Sequence, residues 1–328
     1  MKAAVMNRLG PASVLAVEAL PDPVPASGQV VIAVHWASVT YVDTQVRGGR
    51  PPNPAMVLEL PAVLGNGVAG TVADVAEGVD ASWVGRRVVS TTGGRGGYAE
   101  RVAVPAELLI PVPDSLDLRD AAALLADGRT ALGLLKISRL APGEVALVEA
   151  ASGGVGTYLL QLARSAGATV VAGIGSEEKA ALARELGADI TVHYSRPGWT
   201  DTVRGSVEAV DVVFDGVGGD IGDAAVELLR HGGRLCRYGM ASGRFTRVPP
   251  GRPDIELIEG TGLPPTEWQA LSIAAIERAA AGELDVTIGQ EFPLDRAADA
   301  HAAIEARTTT GKTLLRIMDT DDLTTDVR

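Results

Sequence analysis

An uninterrupted apolar run, Val145–Ala150, passes directly into Ala151-Ser152-Gly153-Gly154-Val155-Gly156 and on into an amphipathic stretch, Val155–Ala166, closed by Gly167. No other feature limits the fold as tightly. The order strand, Gly-rich turn, helix is the dinucleotide-binding fingerprint, with Ala151 in place of its first glycine. Gly153 lets backbone approach a diphosphate, and Gly156 lets the helix pack closely on the strand. The helix N-terminus adds free N–H groups and partial positive charge. A hexamer alone is weak evidence, and a Gly-rich turn that binds nothing is the bland alternative. The surroundings oppose it. Strands Thr169–Ala172, Ile190–His193, Val210–Phe214 and Arg234–Tyr238 alternate with helices Glu177–Leu186 and Gly222–Arg230, the latter ended by Gly232-Gly233. Uniformly apolar strands alternating with helices predict an α/β, doubly wound parallel sheet of the Rossmann type.

The end of the second strand separates NAD from NADP. An NAD site wants an acid there to hold the ribose hydroxyls. Here Gly173-Ile174-Gly175-Ser176 leads into Glu177-Glu178-Lys179. Small residues leave room for a 2′-phosphate, which Lys179 and Tyr194 could bind. Lys179 also reads as an ordinary solvated helix residue, and Glu177 and Glu178 are poor neighbours for a phosphate. The expected cofactor is NADPH, with Ser152, Gly153, Gly154, Val155 and Gly156 at the diphosphate and Gly175, Ser176, Lys179 and Tyr194 at the 2′-phosphate.

The first third differs. Val30–Trp36, Gly70–Val75, Arg87–Ser90 and Glu100–Val104 are short β-branched runs separated by Gly and Pro, the spacing of a small barrel or sandwich. From Leu118 the strand–helix alternation takes over. The 328 residues suit two domains at about 150 residues each. Acidic residues outnumber basic ones 41 to 29, so nucleic-acid and membrane-surface partners are disfavoured. One cysteine, Cys236, excludes a disulfide scaffold and Cys-clustered metal sites. Without a signal-like N-terminus or an 18-residue apolar run, a cytoplasmic protein is expected.

Several segments occur together in order: Met1-Lys2-Ala3-Ala4-Val5, Val39-Thr40-Tyr41-Val42-Asp43-Thr44, Leu64-Gly65-Asn66-Gly67-Val68-Ala69-Gly70, Gly97-Tyr98-Ala99-Glu100, Ala151–Gly156 and Gly311-Lys312-Thr313. Over nearly the whole chain they resemble the medium-chain dehydrogenase/reductase superfamily, in its zinc-free quinone-oxidoreductase branch. The resemblance implies a GroES-like β-rich catalytic domain (1–120), a Rossmann NADP-binding domain (121–264) and a C-terminal segment (265–318) returning to the first. Residues 319–328 read as a disordered tail.

Zinc-dependent relatives place Cys, His and Cys where this chain has Thr40, Asn66 and Ala126, a set unable to hold tetrahedral zinc. The expectation is no metal. The chemistry that remains is hydride transfer to an acceptor with its own electron sink, a quinone or an α,β-unsaturated carbonyl such as an enone. An enoyl-thioester reductase, or a crystallin-like protein that binds NADPH without turnover, stays open. The resemblance assigns Thr40, Tyr41, Arg50, Asn66 and Asp127 to the acceptor site. Tyr41 is the better proton donor, because Arg50 stays charged near neutral pH; a packed core tyrosine is its plain alternative. Asp127 also reads as a local ion-pair partner of Arg129. Thr130, Val217, Gly239 and Met240 are expected at the nicotinamide half of the cofactor, with Lys312 a further cofactor contact. By the same resemblance, Asp254–Ile258 is an edge strand that pairs with its copy in a homodimer.

Overall fold

The computed structural model describes residues 1–260 and 263–318; the tail expected over 319–328 lies outside the described residues. The chain divides into two compact units, one of Met1–Ala126 with the chain from Ile273 onward, the other of Asp127–Ser272. Each is described by itself.

The first unit begins with β1 (Lys2–Met6), β2 (Leu15–Ala19), β3 (Gln29–Val39), α1 (Tyr41–Arg47), β4 (Ala62–Val63) and β5 (Gly67–Val75). β6 (Arg87–Thr91), β7 (Arg101–Pro105) and β8 (Ile110–Pro111) follow. β3 is its spine. It pairs antiparallel with β5 along most of its length and with β7 over Gln29–Ala33. Residues alternate in burial along β7, as expected of an antiparallel strand with one face against the core. Helix α1 has no counterpart in the sequence-based reading. Helix α2 (Leu118–Ser138) leads out of this stretch, and the division between the units falls within it.

In the second unit β9 (Val145–Val148), α3 (Gly154–Ser165), β10 (Thr169–Ile174), α4 (Ala180–Glu185), β11 (Ile190–His193), α5 (Trp199–Ser206), β12 (Val210–Asp215), α6 (Gly219–Val226), β13 (Leu229–Arg237) and β14 (Glu256–Glu259) alternate as predicted, except that α5 has no counterpart in the sequence-based reading. All six strands are parallel, in the order β11-β10-β9-β12-β13-β14. Strand order therefore reverses between β9 and β12, the switch point outside whose carboxyl ends ligands bind in open α/β sheets. The core joins Leu147, Val171, Val213 and Leu235 of the sheet to Trp199 and Val203 of α5 and Ala225 and Val226 of α6.

Three boundaries are corrected. The helix expected over Gly222–Arg230 starts at Gly219 and stops at Val226, because the chain must re-enter the sheet: Leu229 already pairs with Val210. Gly232-Gly233 does not end the helix but lies inside β13, whose register jumps between Leu229 and Arg234. The helix expected from Glu177 splits into a 3₁₀ turn, Glu177–Lys179, and α4.

The chain then forms α7 (Pro265–Ala280), β15 (Ile288–Pro293), α8 (Ala297–Glu305) and β16 (Lys312–Arg316). β16 pairs parallel with β15 and antiparallel with Trp36–Val39 of β3, so both chain ends build the first unit's sheet. Leu294, Ala300 and Leu315 join Met6, Ile32, Val34, Leu64, Val68 and Tyr98 in its core. Among the described residues no helix is long and apolar enough to cross a membrane. The thiol of Cys236 is free and buried, and burial pushes its ionisation up to about 12.

Candidate active site

In the second unit the chain leaves β9 through Ala150, whose φ of 48° puts a residue with a Cβ in the left-handed region. That conformation costs a non-glycine residue roughly 1–2 kcal/mol, strain of a kind that collects at binding turns. Gly153 then caps α3 from an extended conformation. The next turn tolerates no side chain. A Cβ on Gly156 would press on the Ala150 carbonyl oxygen and lie 2.8 Å from both the Cα and carbonyl carbon of Ala151. A Cβ on Gly154 would collide with Oδ2 of Asp127. Ser152 is buried and Val155 half-buried beside them. The turn thus presents glycine backbone and a helix N-terminus, the kind of surface that binds a diphosphate, with the Asp127 carboxylate against Gly154.

At the end of β10 the ring of Tyr194 lies across the two glycines. Cβ atoms there would meet its Cδ1 at 3.0 Å from Gly173 and its hydroxyl at 3.5 Å from Gly175. Lys179 is half-buried at the end of the 3₁₀ turn. Of the two acids judged unhelpful there, one pairs with an arginine and the other stays at Ser176. Glu177 pairs with Arg196 at 3.3 Å, and a hydrogen bond from Ser176 holds the Glu178 carboxyl below its usual range. Tyr194 thus borders Gly175, while Ser176 is engaged by Glu178, whose carboxyl also feels the Lys179 charge.

At the switch point two acids end buried strands, and the sequence reading passed over both. Glu149 follows β9, and Asp215 closes β12. They share the N–H of Val217, which donates to Glu149 Oε2 at 3.3 Å and to Asp215 Oδ1 at 3.1 Å; Gly218 N–H donates to Asp215 Oδ1 at 2.7 Å. Burial, reinforced by the neighbouring Asp215, raises the Glu149 carboxyl well above the usual carboxylate range. The signal was an acid closing an apolar run in Leu147-Val148-Glu149 and Val213-Phe214-Asp215. This pair fixes the loop that carries Val217. Gly239 is tied to the same strand end by its N–H to the Asp215 carbonyl at 3.1 Å, with Met240 half-buried after it. Thr130, on α2, is half-buried in this unit.

The remaining residues lie in the first unit. Thr40 is the N-cap of α1 in a reciprocal capping box. Its N–H and hydroxyl donate to Asp43 Oδ2 at 2.8 and 2.7 Å, and its hydroxyl accepts the Asp43 N–H at 3.2 Å. The hydroxyl is thus structurally committed. Tyr41, first residue of the helix, is half-buried, and Arg50 is exposed beyond the helix. Asn66 is half-buried, its carbonyl accepting Thr92 N–H at 2.9 Å.

Beneath α1 runs a buried polar chain the sequence reading missed. Tyr98, fully buried, donates to Asp43 Oδ2 at 3.2 Å, which leaves its oxygen to accept from Nε2 of His301 at 3.1 Å. Arg47, also buried, donates to Glu305 Oε1 at 2.5 Å and to the Gly10 carbonyl at 3.1 Å. Burial raises the Asp43 carboxyl, opposed by the Thr40 and Tyr98 hydrogen bonds and by Lys312. Burial, with Arg47 adding, drives His301 down to about 3, so its ring is neutral at neutral pH. Lys312 is buried in this unit with its charge near Asp43, so its place in the fold is beside the polar chain under α1.

Among the described residues no group of three or more His, Cys, Asp or Glu side chains could hold a metal ion. The zinc-binding dehydrogenase family model matches residues 154–259, and the alcohol dehydrogenase GroES-like domain model matches 26–114. A 2-haloacrylate reductase from a Burkholderia species is 34% identical over 312 residues, covering 89% of this chain and 91% of its own. A quinone oxidoreductase from Pseudomonas aeruginosa is 33% identical over 308 residues, covering 89% and 92%. The crystal structure of Escherichia coli quinone oxidoreductase complexed with NADPH superposes with a TM-score of 0.89 at 27% identity, over 97% of this chain and all of that one. The chain belongs to the medium-chain dehydrogenase/reductase superfamily, in its quinone-oxidoreductase-like branch.

Proposed function

We propose that this protein is an NADPH-dependent reductase delivering hydride to an acceptor whose double bond is conjugated to a carbonyl, a quinone or an α,β-unsaturated carbonyl compound. The observation that carries this is the glycine-built Gly153–Gly156 turn at the head of α3, together with the small-residue, Tyr194-flanked end of β10. Similarity to a quinone oxidoreductase solved with NADPH supports the cofactor, and the 2-haloacrylate reductase supports an activated alkene as acceptor. When bound, NADPH supplies the hydride from carbon 4 of its nicotinamide.

Residues of this chain bind and orient. The Gly153–Gly156 turn and the N-terminus of α3 hold the diphosphate, while Gly175, Ser176, Lys179 and Tyr194 hold the 2′-phosphate. Thr130, Val217, Gly239 and Met240 border the nicotinamide half, the Val217 loop being fixed by Glu149 and Asp215. Tyr41 donates the proton that completes the reduction. Thr40 supports it through the cap, and Arg50 and Asn66 stabilise the developing enolate oxygen. No metal takes part. The protein works in the cytoplasm as a homodimer, joined through the edge strand β14, where an identical antiparallel strand satisfies exposed backbone groups.

The test is an anaerobic panel of quinones, enones, 2-chloroacrylate and acyl thioesters, run with NADPH and with NADH in the presence of a chelator. Turnover of a quinone or activated alkene with NADPH, undiminished by the chelator, is expected. NADPH binding without turnover of any acceptor would refute the enzymatic reading.

A further inference from the structure

The collision at Gly154 says something about Asp127. A side chain from α2 rests with Oδ2 on the first residue of α3, close enough to meet a Cβ placed there. Oxygen at that point faces the first turn of a 12-residue helix, whose leading N–H groups have no partners within the helix. A carboxylate there is held by the same partial positive charge that attracts a phosphate. The Tyr238 phenol is pushed up by burial first, then by Glu149, Asp215, Tyr194 and Asp127. A diphosphate arriving at α3 therefore meets a negative side chain already seated on its binding turn. Asp127 also lies within electrostatic range of a cation. Arg129, two residues on, has its guanidinium 5.3 Å from the Trp268 ring centroid, and Asp127 opposes the loss of charge that burial imposes on it.

We propose that Asp127 is a built-in competitor for the cofactor's diphosphate, seated on Gly154 in the cofactor-free protein and yielding the head of α3 when NADPH binds. The competitor lowers NADPH affinity, stabilises the cofactor-free turn, and moves toward Arg129 as the diphosphate takes its place. This deepens the NADPH reading above and rests on it.

Calorimetric titration of the full chain and of Asp127→Asn and Asp127→Ala tests it, with NADPH and with adenosine 2′-monophosphate, which has no diphosphate. Both variants are expected to bind NADPH roughly threefold to tenfold more tightly, with affinity for the monophosphate unchanged. In thermal melts the variants should be less stable than wild type without cofactor, and should gain more from saturating NADPH. A merely structural aspartate would lower stability without tightening binding. NADPH affinity unchanged or weakened in both variants, with monophosphate binding intact, would overturn the proposal. Failure of wild type and variants alike to bind NADPH would overturn the cofactor reading, and the proposal with it.

Discussion

Replacing Gly156 with Ala tests the packing of α3 on its turn. The new methyl would press on the Ala150 carbonyl oxygen and lie 2.8 Å from two backbone atoms of Ala151, where ordinary contact begins near 3.4 Å. All three neighbours are main chain, so no rotamer change relieves the overlap. Either the helix start moves away from β9, or Ala150, already at a φ of 48°, is strained further. Overpacking of this kind costs about 1–3 kcal/mol, offset by about 0.8–1 kcal/mol from the better helix propensity of alanine. The net expectation is a loss of up to about 2 kcal/mol, or about 2–4 °C in Tm for each kcal/mol. On the proposed reading the displaced turn holds the diphosphate, so NADPH should bind about tenfold more weakly, a loss of about 1.4 kcal/mol. Gly205→Ala is the control. That glycine lies in α5 with no atom within 4 Å of an added Cβ, so alanine should stabilise by about 0.5–1 kcal/mol and leave NADPH affinity alone. Urea melts and fluorescence titration of both variants give the four numbers. A Gly156→Ala protein as stable as wild type, with unchanged NADPH affinity, would refute the reasoning.

Lys179→Ala should raise the KM for NADPH while leaving that for NADH nearly unchanged, because only the 2′-phosphate contact is lost; equal effects on both cofactors would remove Lys179 from that site. His301 is neutral in the folded protein and titrates near its ordinary 6.5 when unfolded, so the unfolded chain binds the extra proton below that value. Stability should therefore fall by up to about 1.4 kcal/mol per pH unit as pH drops from 6.5 toward about 3, and His301→Gln should flatten that contribution. Leu257→Pro, which removes a donor from the exposed edge strand, should yield a monomer by light scattering; a monomeric wild type at micromolar concentration would remove the dimer.

The second unit was largely legible in the sequence because its information is local. Apolar runs in β10 and β12, the glycines after α3 and α4 (Gly167 and Gly187) and the Gly153–Gly156 spacing each act within a few residues. Where local signals conflicted with sheet pairing, pairing prevailed: Leu229 looked like the end of a helix, yet it is drawn into the sheet opposite Val210. Helix α1 was illegible for the converse reason. Its buried residues include Asp43, Thr44, Gln45 and Arg47, so the polar-to-apolar periodicity that marks a helix is inverted. Apart from the local Thr40–Asp43 cap, what stabilises it is remote in sequence, Tyr98 at Asp43 and Glu305 at Arg47. The glycines that form the cofactor turn could be read from spacing. The carboxylate resting on Gly154 comes from α2, 27 residues upstream, and only the fold brings the two together.

Hydride transfer to a conjugated acceptor is tested most directly by following the transferred atom. NADPH carrying deuterium at carbon 4 of the nicotinamide, in each stereochemical form, is incubated anaerobically with the enone that the panel shows to be turned over. The product is then analysed by mass spectrometry and NMR. One deuterium at the carbon β to the carbonyl, from one stereochemical form only, with the α-proton drawn from solvent, is the predicted result. Reduced product without deuterium from either form, or deuterium on the carbonyl carbon of an allylic alcohol, would contradict it.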